Sequence, residues 1–149
     1  MKEQHYQQLQ EHVLTETLDN GLKVVMIPKE NYHKTFAVLT TPFGSLDRHF
    51  KINNSEVIDI PSGTAHFLEH KLFEKESEDA FKRFGELGAD ANAFTTAYQT
   101  SYLFSTTDNF ELSLVHLLDF VQTPYFSLQT IAKEQGIIGQ IGRASCRER

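Results

Sequence analysis

Apolar positions along the chain follow two periods, and the change from one to the other marks the elements. After the Asn20-Gly21 pair the run LKVVMIP alternates and is rich in β-branched residues, which predicts a turn entering a strand over Lys23 to Ile27. TFAVLTTPFGS carries a continuous apolar run, as a buried strand does, from Thr35 to Thr40. Between Phe43 and Pro61 the pattern is short and broken, and Asn53-Asn54 is placed to turn a small hairpin.

The helical period takes over at PSGTAHFLEHKLFEK, where no Gly or Pro interrupts the residues after Thr64, and a helix is predicted over Thr64 to Phe73. Ser77 is expected to cap a second helix in EDAFKRFGELG, which Gly88 should stop. ADANAFTTAYQTSYLFSTT returns to period two and predicts two strands joined around Tyr98 to Thr100. Asp108 and Glu111 have capping-box spacing before NFELSLVHLLDFVQ, whose apolar positions include Val115, Leu118 and Val121. Ser127 is expected to open a last helix, LQTIAKEQGIIG. Paired strands with helices beside them predict an α+β domain built on an antiparallel sheet.

Composition narrows the picture. With 149 residues, 40% hydrophobic and 23% charged, the chain has enough apolar content for one globular core. A formal charge of -6 and the lack of a Lys/Arg cluster argue against a nucleic-acid partner. No apolar run approaches the ~20 residues that span a bilayer, so no membrane segment is expected. The first residues, MKEQHYQQLQEH, are polar where a secretory signal would be apolar, and the expected location is cytoplasmic. The single cysteine, Cys146, excludes an internal disulfide.

The candidate chemistry lies in HFLEH, residues 66 to 70. On a helix, residues three and four apart are neighbours, so His66, Glu69 and His70 cluster. Zinc takes neutral imidazoles and carboxylates, and two histidines four apart supply two of the three protein ligands that a catalytic site uses. Manganese or cobalt could occupy the same ligands. Glu69 is placed to take a proton from water and pass it to a leaving amine. The order is H-x-x-E-H, the inverse of the commoner H-E-x-x-H. An amphipathic helix with an incidental polar face would read the same in the motif alone. A structural zinc fits less well, because such sites close with four protein ligands, and His5, His12, His33, His49 and His116 stand in no ligand spacing.

Beyond the motif, the run from Asp19 to Gly139 resembles the N-terminal domain of the insulinase (pitrilysin) family of zinc metallopeptidases, particularly its bacterial members. The resemblance is carried in order by LDNGLKVVMIP, FGS, GTAHFLEHKLFE, the G-A-x-x-N-A-F-T stretch at Gly88 to Thr95, TSYLFS and KEQGIIG. It implies one zinc on His66 and His70, with Glu69 as general base for peptide-bond hydrolysis. Asn92 and Ala93 match the family's Asn-Ala pair that helps hold an extended peptide substrate, and Glu134 matches an acidic residue that orients a ligand. The resemblance also implies a second homologous domain or subunit that closes a chamber over the substrate. A non-catalytic, peptide-binding partner subunit is the alternative; the intact His66, Glu69 and His70 favour the enzyme.

One position departs from the pattern. The family's third ligand is a Glu seven residues beyond the Glu134 position, and here that place holds Ile141, which cannot bind zinc. The final stretch, IGRASCRER, is also the translation of a common sequencing-adaptor sequence in one frame, which would make residues 141–149 foreign to the gene. The expected organisation is therefore an N-terminal extension over 1–18, an incomplete peptidase domain over 19–140 and an artefactual tail. The 149-residue chain would be an inactive fragment of a longer peptidase.

Overall fold

The computed structural model describes residues 1–53, 55–76, 79–128 and 131. They fall into two compact units, residues 1–33 and residues 34–149. The first unit is an antiparallel sheet of β1 (Lys2–Tyr6), β2 (Glu11–Thr17) and β3 (Lys23–Met26), in that order. Residues 1–18, expected as an extension, thus form two of its strands, and a boundary at residue 18 would cut the β2–β3 pairing of Thr17 with Lys23. At the turn between them Asn20 accepts the Leu22 N–H on its side chain, and Gly21 takes a φ of 86° that L side chains rarely adopt.

The second unit has a three-stranded antiparallel sheet in the order β4 (Thr35–Thr41), β8 (Thr100–Thr106), β7 (Ala89–Thr95). A two-stranded piece, β5 (His49–Phe50) with β6 (Ile58–Asp59), forms the small hairpin expected around Asn53. Three helices cover one face of the larger sheet: α1 (Thr64–Phe73), α2 (Ala80–Glu86) and α3 (Phe110–Gln122). Alternation along the strands decides which side chains meet them. Ala89, Tyr102 and Phe104 lie in the core with Phe73, Phe84, Leu117 and Phe120. Phe73 stacks on Phe120 at 5.0 Å and Phe84 meets Phe104 at 5.7 Å, close enough for ring–ring attraction to add to burial. The predicted α+β class, an antiparallel sheet with helices packed on it, is the architecture observed.

Several details differ from expectation at the helix ends. The N-cap of α2 is Asp79, whose carboxylate accepts the Phe81 N–H at 2.9 Å, so the cap lies two residues beyond Ser77. The capping box before α3 does not form. Asn109 takes the cap position in a left-handed conformation without a side-chain bond, while the Asp108 carbonyl accepts from Thr106 Oγ1. Val115 is 65% exposed; the buried stripe of α3 is Ser113, Leu117 and Phe120. The β7–β8 turn spans residues 96–99, slightly before the predicted joint, with Thr96 N–H donating to Gln99 O. Most of the predicted helix after Ser127 lies outside the described residues.

Candidate active site

α1 spans the predicted residues because nothing in TAHFLEHKLF breaks a helix. It begins after Gly63, whose φ is 88°, and its last turn carries His70 and Lys71, cations or donors that suit a helix C-terminus. Ala65, Glu69 and Phe73, four apart, are the buried ridge against the sheet. His66 and His70 flank that ridge and are half-buried.

Their Nε2 atoms stand 3.0 Å apart, with the rings edge to face at 4.7 Å between centroids. A tetrahedral ion bound at zinc–nitrogen lengths of about 2.0–2.1 Å would separate two such nitrogens by about 3.3 Å. The two nitrogens therefore stand at nearly the spacing one ion demands, and the donor set fits zinc. Glu69 is not part of that pair. Among the described residues no third His, Cys, Asp or Glu joins the pair in a metal-sized group. Glu134 and position 141 lie outside the described residues.

Glu69 instead turns toward the sheet. It is 9% exposed, and its Oε2 accepts the Thr95 hydroxyl at 2.5 Å. Thr95 faces Thr100 across the β7–β8 ladder, with 3.3 Å between the hydroxyl oxygens, and Thr100 donates to the Phe43 carbonyl at 2.8 Å. Tyr102 packs nearby. Burial first, and the Glu69 charge second, hold its phenol above the usual range, so it stays neutral. None of Thr95, Thr100 or Tyr102 was predicted as a site residue. Period-two alternation places Thr95 on the helix-facing side with Ala93, but only the strand register brings it under Glu69.

Among the described residues β7 has a hydrogen-bonded neighbour on one side only, β8. Asn92 and Ala93 lie on this strand. Asn92 is exposed, and its Oδ1 accepts the Ala93 N–H at 2.8 Å. On the Leu68–Leu72 side of α1 there is an apolar cavity of about 390 Å³ whose lining includes Leu39, Phe43, Tyr102 and Val121. Among the described residues no carboxylate or imidazole lines it. The remaining histidines have packing or surface roles: His116 rests on Phe84 with Nε2 3.1 Å from Ala80 O, His49 pairs with Asp59, and His5 stacks on His12.

Comparison with known proteins identifies the family. A family model for insulinase (peptidase family M16) matches residues 59–145. The uncharacterized zinc protease YmfH of Bacillus subtilis (strain 168) is 52% identical over 136 residues, covering 91% of this chain and 32% of that protein. The zinc protease AlbF from the same organism is 32% identical over 138 residues, covering 92% of this chain and 32% of its own length. The crystal structure of an M16-like peptidase from Alicyclobacillus acidocaldarius superposes with a TM-score of 0.82 at 42% identity, over 87% of this chain and 30% of that one. The chain thus spans about a third of the length of these relatives.

Proposed function

Because the chain belongs to the insulinase family of peptidases, we propose that it is the catalytic N-terminal part of a longer zinc metalloendopeptidase acting on peptides or small unfolded proteins. The observation that carries this reading is the convergence of the His66 and His70 Nε2 atoms at 3.0 Å beside a buried carboxylate that is not itself a ligand.

His66 and His70 would hold the zinc, and Glu134 would orient a ligand. When bound, zinc supplies a Lewis acid that polarises the scissile carbonyl and acidifies a water. The rest falls to the chain's own residues. The open edge of β7 aligns an extended peptide by main-chain hydrogen bonds, with Asn92 and the Ala93 N–H as partners once their mutual bond is released. Glu69 Oε1, the oxygen that Thr95 does not engage, takes the proton from water as the new C–O bond forms. It then returns that proton to the amide nitrogen as the C–N bond breaks. A second homologous domain or subunit would close over the peptide and supply contacts from the other side.

Glu69→Gln in the full-length protein tests the reading. It keeps the shape and removes the base, so turnover should fall by about 10²-fold or more while peptide binding persists. Unchanged turnover would overturn the enzyme assignment. The second reading is a non-catalytic peptide-binding partner subunit. Ile141 stands where a third ligand is expected, so the 149-residue chain by itself is proposed to be inactive.

A further inference from the structure

We propose that Thr95 is a positioning residue for the Glu69 carboxylate. The inference rests on the peptidase reading above and adds to it a reason why the base points where it does.

A glutamate side chain turns about three bonds and is mobile unless something holds it. Here the Thr95 hydroxyl donates to Oε2 at 2.5 Å, the length of a charge-assisted O–H···O bond. Thr95 has one proton and two acceptors within reach, Glu69 Oε2 and Thr100 Oγ1 at 3.3 Å. Thr100 donates to the Phe43 carbonyl at 2.8 Å, so toward Thr95 it can only accept. Distance and acceptor strength decide between the two: the Thr95 proton goes to the carboxylate at 2.5 Å rather than to the hydroxyl at 3.3 Å, and Oε1 is left for proton transfer.

The Phe43 carbonyl is itself held in place. Phe43 N–H donates to Thr41 O at 2.8 Å, Ser45 N–H to Thr96 O at 2.9 Å and Leu46 N–H to Ala97 O at 3.0 Å. Gly44 presses directly on the backbone of the β7–β8 turn, where a Cβ would come within 2.5 Å of the Tyr98 and Gln99 nitrogens. The loop after β4, the β7–β8 turn and the base are joined through Phe43 O, Thr100, Thr95 and Glu69.

The experiment compares Thr95→Val and Thr95→Ser in the full-length protein with wild type and Glu69→Gln. Valine keeps the branched shape without the hydroxyl. It should lower kcat by about 10- to 100-fold while KM stays within about twofold and zinc content is unchanged, as expected for a misplaced catalytic group. Serine restores the hydroxyl and should recover kcat to within about threefold. Crystals of the metal-free Thr95→Val protein should show the Glu69 carboxylate in another rotamer. Should valine disturb folding, seen as a large drop in melting temperature, Thr95→Ala repeats the test. Wild-type kcat in a folded hydroxyl-free variant, or an unmoved Glu69, would overturn the proposal. If Glu69→Gln turns over like wild type, the peptidase reading fails by itself, and the Glu69 rotamer in the metal-free crystals still decides the positioning.

Discussion

Gly44 illustrates how closely the site is built at the scale of one residue. Its backbone conformation is open to any amino acid, but the space is not: an added Cβ would lie 2.5 Å from two backbone nitrogens of the neighbouring turn and 2.6 Å from the Ala97 carbonyl carbon. Backbone cannot step aside as a long side chain can. Gly44→Ala should therefore cost about 2–3 kcal/mol, as overpacking does, read as a lower midpoint in denaturant at unchanged slope. The histidine pair was legible at this scale because its geometry is local: four residues on one helix settle it. Thr95 was not, since its partner Glu69 is 26 residues away in sequence.

Among the elements, α1 and α3 are tied at their ends. Lys75, just past α1, donates its ammonium to the Phe120 carbonyl at 2.6 Å and to the Thr123 carbonyl, closing the last turn of α3, where carbonyls lack helical partners. Lys75→Met keeps much of the stem and removes the donors. It should destabilise the second unit by about 1–2 kcal/mol, measured by thermal or chemical unfolding. Element type and extent followed closely from periodicity, α1 over the residues predicted and β4 within one residue. The caps did not, because they depend on which donor happens to be free. Thr106 donates to the Asp108 carbonyl and accepts the Asp108 N–H ahead of the helix, and Asn109 turns the chain in a left-handed conformation.

For the molecule as a whole, the proposed metal site would need a third ligand, and the place expected for it holds Ile141. With His66 and His70 as its only two expected ligands and Ile141 in the third place, the 149-residue chain should hold zinc weakly. Ile141→Glu should tighten binding by about 10²-fold or more, followed by competition with a chromogenic chelator. Equal affinity in the two chains would show that position 141 is not a ligand. The outer face of the second unit's sheet exposes Phe36, Val38 and Phe94, while the helix-facing side is packed with aromatic rings. That asymmetry follows from alternation along each strand. The sequence run after Thr35, however, reads as apolar throughout and did not reveal which face would be covered.

By itself the sequence determined the α+β class, the helix that carries HFLEH and the ligand spacing of its histidines, because each depends on periods of two or four residues within one element. Tertiary structure alone decided the rest. Strand register set Thr95 opposite Thr100 and beneath Glu69, the strand order left β7 with an open edge, and the close approach of Gly44 fixed the Phe43 carbonyl that takes the Thr100 proton. These contacts join residues up to 57 apart in the chain, and no local pattern encodes which of the possible pairings the packed core will choose.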